Sequence, residues 1–224
     1  KYKKKTWDNL NISKRVLAWI LNADIILNNA DKNFKQIFFN SIIIQINHLK
    51  KNLTYENDPV KKIEIISVII LSGLVFREYN SNFETGIKVL KNTVEDFFDN
   101  DGCPVNRNIY DLVQCSKFLV LIKECCRDAQ EYIPDYLDDI VDKLINCLHS
   151  LKTPTNNNPL FNGASEFKLD GYLEYLSGLE YKPNNIINKI NDVYVMRGKK
   201  NLLFFDVGPP PKKKYSKNYQ SGPL

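Results

Sequence analysis

The periodicity of this chain changes once, near Ile190, and that change limits the possible fold more than any other feature. Up to Ile190, apolar residues recur at spacings of three and four, as helices with one buried face require. Beyond it, Val193-Tyr194-Val195-Met196 and Leu202-Leu203-Phe204-Phe205 are apolar, β-prone runs joined by a Gly-containing turn, Arg197-Gly198-Lys199-Lys200. A lone hairpin is at best marginally stable in water without further strands or a packed face. The expectation is therefore a piece of a larger protein, with a helical domain over residues 1–190 and the start of a β-domain over residues 191–224. At the other end, the basic run Lys1 to Lys5 leads into Trp7 without the apolar stretch of a secretory leader, so targeting is not legible.

Six helices are predicted before the switch. The first is capped by Asn11 or Ser13 and runs through Val16, Leu17, Ile20 and Ile25 to about Asn29; the second runs from Phe34 to about Leu49. The third starts at Asp58-Pro59, an N-cap followed by a proline at the first helical position, and carries a dense apolar run to Phe76. The fourth spans about Phe83 to Phe98 and ends in the turn Asp99-Asn100-Asp101-Gly102. A fifth spans Asn108 to about Cys126, and a sixth Pro134 to about Leu151. These are three helical hairpins, in which helices apolar nearly all round alternate with amphipathic ones, a pattern suited to the inner and outer layers of a double ring. No motif recurs at the fixed period of a solenoid. Residues 152–171 are loop-like, a short helix covers about Tyr172 to Leu176, and Pro209-Pro210-Pro211 closes the second strand.

Composition narrows the function classes. With 43% hydrophobic and 25% charged residues, the chain is neither disordered nor collagen-like. The run from Ile65 to Phe76 is much shorter than the roughly 20 residues of a bilayer-spanning helix, so no transmembrane segment is expected. Cys103, Cys115, Cys125, Cys126 and Cys147 sit mostly within helical patterns and read as small buried hydrophobes. His48 and His149 lack any metal-ligand spacing, so no metal site is expected. Asp99 to Gly102 has the look of half a calcium loop, but Phe97 and Asn108 stand where ligands would be needed, and a tight turn is the better reading. The net charge of +5 is concentrated in Lys1 to Lys5 and in Lys212-Lys213-Lys214, the latter read as a solvated loop. That excess is compatible with a polyanionic partner and does not demand one.

Several landmarks, taken in order, resemble the heparinase II/III-like polysaccharide lyases. They are Trp7 followed by Arg15 and Trp19, the helix end Leu71-Ser72-Gly73-Leu74-Val75-Phe76, and Asp101-Gly102 with Arg107-Asn108 beyond it. Pro159-Leu160-Phe161-Asn162-Gly163 and Met196-Arg197-Gly198 leading to Asp206-Val207-Gly208 complete the series. The chain looks closest to an alphaproteobacterial branch, in which Arg-Asn follows the Asp-Gly turn. The resemblance implies a mainly α fold: an incomplete (α/α) toroid of helical hairpins followed by the first strands of a truncated antiparallel β-sandwich. It implies β-elimination on an anionic, uronate-containing polysaccharide or oligosaccharide, with no cofactor and no nucleic acid partner, in the periplasm or cell envelope. The alternative is an inactive relative that binds polysaccharide or serves a cell-envelope role.

The chemistry that the resemblance implies requires the uronate carboxylate to be neutralised while a carbanion-like charge develops beside it. A Tyr or His then takes the proton, and a Tyr protonates the departing oxygen. Carried over residue by residue, Tyr110 is the candidate acid or base, and Arg107, Asn108 and Lys61 are the candidate substrate-binding residues. The correspondence is partial. Val60 and Lys61 stand where active members have Asn-His, and Asp111 takes the tyrosine slot, with Tyr110 one place early, a rotation of about 100° on a helix. The sandwich's His-x-His-Ala-Asp signature corresponds to Asn218-Tyr219-Gln220-Ser221-Gly222, which has neither histidine.

Overall fold

The computed structural model describes residues 5–160, 162–199 and 201–215, with backbone alone at Arg77 and Lys213. Among these residues, helices α1 (Asn9–Leu21), α2 (Ala23–Leu27), α3 (Lys32–Asn52), α4 (Pro59–Val75), α5 (Asn80–Phe97), α6 (Ile109–Asp128), α7 (Asp135–Leu151) and α8 (Asp170–Gly178) precede a small sheet. The sheet consists of β1 (Lys189–Ile190), β2 (Val193–Arg197) and β3 (Leu202–Asp206), antiparallel in that order. The chain divides into two compact units, Lys1–Thr93 with Glu124–Tyr132, and Val94–Lys123 with Ile133–Leu224.

In the first unit, α1, α3 and α4 pack on one another around Ile12, Val16, Ile42, Ile46, Leu49, Ile65 and Val68. The Asp58 carboxylate caps α4 by accepting from the amides of Val60 and Lys61 at 3.1 and 3.5 Å, with Pro59 at the first helical position where no N–H is needed. Every residue from Ile63 to Gly73 is buried, as the dense apolar run predicts. Ser67 and Ser72 are accommodated because each hydroxyl donates to a carbonyl three residues back, Glu64 and Ile69. One expectation shifts: the first helix breaks at Asn22. That side chain donates to the Ala18 carbonyl at 2.8 Å, where the Asn22 amide already bonds at 3.1 Å, and α2 starts afresh beyond it.

In the second unit, the hairpin pairs Tyr194 with Phe205 and Met196 with Leu203. Alternation across the pleat buries Val193 and Val195 on one face and leaves Tyr194, Met196, Leu203 and Phe205 exposed on the other. The Asp99 to Gly102 segment is the tight turn expected: Asp99 Oδ1 accepts from the amides of Asp101 and Cys103 at 2.9 and 2.8 Å, and Gly102 sits at φ +81°. Burial raises the Asp99 carboxyl above its ordinary value, with these amide bonds opposing. Lys212 and Lys214 are exposed, as a solvated segment requires, while Lys213–Tyr215 forms a short 3-10 turn whose tyrosine is buried against Phe97. Four of the five cysteines are buried, and burial pushes the Cys125 and Cys126 thiols up to about 11. Among the described residues, no helix is long and apolar enough to cross a membrane, and no group of His, Cys, Asp and Glu gathers in a way that could hold a metal.

Candidate functional site

Landmarks far apart in the sequence meet at the start of α6. Asn108 is the N-cap of that helix, its Oδ1 accepting from the Asp111 amide at 3.1 Å. Arg107, immediately before it, has a left-handed backbone with φ 53°, a conformation uncommon outside glycine and asparagine. That twist turns its side chain away from the helix toward the end of β3. There Arg107 Nε lies 2.8 Å from Asp206 Oδ1, and an Nη2 hydrogen bonds to the Pro209 carbonyl at 2.9 Å. Both partners of this ion pair are almost wholly enclosed, with side-chain exposures of 3% and 10%.

The remaining groups close the cluster. Asn162 donates from Nδ2 to Asp206 Oδ2 at 2.6 Å, and its own carbonyl accepts from Asn108 Nδ2 at 2.9 Å. The Gly208 amide donates to Asp206 Oδ1 at 3.0 Å. Gly208 is needed here for space, because a Cβ would lie 2.7 Å from the guanidinium carbon of Arg107. Asn106 completes the entry to the helix by donating to Asp111 Oδ2 at 2.7 Å while accepting from the Asn108 amide at 3.1 Å. A buried carboxylate is tolerable only when its charge is matched and its lone pairs are satisfied, and this set of donors meets that condition for Asp206.

Tyr110 sits in the first turn of the helix that this cluster fixes. It is 39% exposed, and its ring meets Phe167 edge-on at 5.8 Å between centroids. One turn and a half further along α6, Ser116 and the hydroxyl of the half-buried Tyr172 are 2.9 Å apart, and burial raises the Tyr172 phenol well above its ordinary value. Of the four site residues expected from sequence, Arg107, Asn108 and Tyr110 therefore share one neighbourhood. Lys61 belongs to the first unit, in the opening turn of α4, where it is 42% exposed and 3.9 Å from Asp58. The segment Asn218 to Gly222 lies outside the described residues.

Arg107 and Asn108 were expected to face a sugar; the structure gives both of them partners within the protein. Asp206, Asn162 and Asn106, which hold them, had no assigned role from sequence, although Asp206 and Asn162 lie in landmark segments. The signal was their place in the series rather than any spacing.

A family profile described as the heparinase II/III N-terminus matches residues 1–186. The chain belongs to this family. Its fold agrees with solved members of the group. A heparan sulfate lyase HepC mutant from Pedobacter heparinus superposes with a TM-score of 0.75 at 16% identity, covering 94% of this chain and 38% of that one. A heparinase III structure gives 0.75 at 15% identity, covering 95% and 38%. The product of the heparinase III gene BT4657 gives 0.69 at 16%, covering 91% and 36%. This heparinase-family chain thus spans well under half the length of the lyases it matches. At these identities the likeness establishes the fold, mainly helical and followed by antiparallel strands, as the sequence led us to expect. No curated protein sequence matches the chain.

Proposed function

We propose that this chain is the helical portion, with the boundary near residue 190, of a polysaccharide lyase that cleaves uronate-containing glycosaminoglycan chains by β-elimination. Family membership supports the substrate class. The observation that carries the site is the convergence of Arg107, Asn108, Asn162, Asp206 and Gly208 on the first turn of α6, beside an exposed phenol. In this reading Tyr110 exchanges protons with the sugar, passing one to the departing glycosidic oxygen. Arg107 and Asn108 serve the substrate by fixing the helix start and its backbone donors, so that Tyr110 needs little reorganisation as charge develops. Lys61, exposed at the start of α4, is a separate cationic contact for the polyanion.

Incubating the full-length protein with heparan sulfate, chondroitin sulfate and alginate oligosaccharides, and following the ultraviolet absorbance of the unsaturated product, tests this directly. An absorbance rise with at least one of them, reduced at least a hundredfold in Tyr110→Phe, is the expected result. No rise with any uronate polymer removes the lyase.

A second reading, an inactive relative that binds polysaccharide in a cell-envelope role, is favoured by two particular observations. Val60 and Lys61 occupy the Asn-His positions, and Asp111, in the tyrosine slot, is bonded to Asn106. It expects glycan binding without turnover, and no effect of Tyr110→Phe on that binding.

A further inference from the structure

The first unit has a pocket of about 240 Å³ whose walls include both tryptophans of the chain. Trp7 precedes α1, Trp19 lies on its last turns, and Ile44 stands at the rim on α3, 54% exposed. Arg15 lines the same pocket. Its Nε donates to Gln45 Oε1 at 2.6 Å, and Gln45 is buried and itself held by the Ser41 carbonyl at 2.9 Å. Nη1 and Nη2 share one acceptor, the Thr6 carbonyl, at 3.4 and 3.3 Å. The guanidinium carbon lies 5.9 Å from the centroid of the Trp19 ring, a cation–π placement that steadies its plane.

This is more than a helix-to-helix tie. A structural arginine uses its fork on strong acceptors, whereas here, among the described residues, three of the five N–H groups have acceptors and two of those bonds are long and shared. The planar head is oriented by a buried glutamine and opens onto a cavity lined mainly by apolar surface. An anionic sugar unit has matching chemistry: a C–H face for the indole and isoleucine walls, and a carboxylate or sulfate for a charge-assisted hydrogen bond from a remaining guanidinium N–H. The volume is below that of drug-sized sites, so it suits one ring of a longer chain.

We propose that Trp7, Arg15, Trp19 and Ile44 form a binding subsite for one acidic sugar residue, distinct from the cluster at α6. The ligand class rests on the polysaccharide reading above; the site itself does not depend on Tyr110.

Because the pocket holds both tryptophans, selectively excited tryptophan emission reports on it alone. Titrating the full chain with a heparan sulfate tetrasaccharide should give a saturable change in emission, while neutral maltotetraose gives none. Ile44→Glu, which adds a carboxylate at an exposed rim position, should weaken the apparent affinity at least tenfold, as should Arg15→Gln. Tyr110→Phe should leave the titration unchanged. The proposal is overturned by an absent emission change at saturating tetrasaccharide, by equal response to the neutral sugar, or by an Ile44→Glu titration that overlays the parent. The two readings fail separately: emission response without any lyase activity removes only the lyase, and activity without emission response removes only the subsite.

Discussion

Two enclosed carboxylates among the described residues, Asp206 and Glu64, are housed in opposite ways. Asp206, at the end of β3, takes an arginine, an asparagine and a backbone amide, and each of its oxygens has a partner. Glu64, inside α4, stands among isoleucines, and its Oε1 has no hydrogen-bond partner among the described residues. Desolvation raises the Glu64 carboxyl above its ordinary value, opposed by the charge of Lys14. The difference separates two uses of a buried charge. A satisfied network fixes one arrangement of segments that lie far apart in sequence, while an unsatisfied group costs stability and specifies little.

The sharpest way to break that comparison is to remove Asp206. Asp206→Ala leaves the Arg107 guanidinium enclosed without its counter-charge, and should cost about 3–5 kcal/mol in denaturant or thermal unfolding. Arg107→Ala should cost a similar amount, and the double variant distinctly less than the sum, because the second change removes a charge already orphaned by the first. Additive losses would show that the two side chains contribute independently, and the network account would fall.

A smaller effect is expected at Gly208. A methyl group there meets Arg107 at 2.7 Å and the Asp192 side chain at 2.8 Å, so Gly208→Ala should destabilise by about 1–3 kcal/mol through overpacking, without removing any hydrogen-bonding group. Combined with Arg107→Ala, the penalty should shrink but not vanish, since the guanidinium clash is gone while the contact with the Asp192 Cβ remains. A penalty of unchanged size in the Arg107→Ala background would place the whole clash at Asp192 and show that the guanidinium yields freely.

These residues also show what the sequence could and could not reveal. Asp58-Pro59, Asp99 to Gly102 and the apolar, β-prone runs of the hairpin were legible because each acts through its immediate neighbours: a cap, a turn, a strand. The break at Asn22 was not, because asparagine competes for a helix carbonyl without any Pro or Gly to announce it. Nor was β1, two residues long and defined only by its pairing with Ile190 opposite Val193. The candidate site fared similarly. Arg107, Asn108 and Tyr110 were picked out by their resemblance to a motif, but nothing in the sequence couples Arg107 to Asp206, 99 positions away, or aims Arg107 backward through a positive φ. Long-range pairs of this kind are set by packing, and their sequence trace is only the order of the landmarks.

The smallest prediction concerns the unsatisfied partner in the comparison. Because burial raises the Glu64 carboxyl in the folded state, folding takes up a proton there. Whatever stability Glu64 contributes is present in full below the ordinary carboxyl value of about 4.3, and is lost as pH rises through the higher folded value. At neutral pH the native chain therefore carries the cost of a desolvated charge that Glu64→Met, of similar length and apolar, does not. The variant should be more stable by about 1 kcal/mol at pH 7, and the gap should narrow steadily as the pH falls toward 4. Lys14 limits the effect by stabilising the charged form, so Lys14→Gln should widen the gap at neutral pH and leave it unchanged in acid. A Glu64→Met variant less stable than the parent at pH 7, with a gap that does not move with pH, would mean that the carboxylate is as well matched to its site as Asp206 is, and the contrast between the two would disappear.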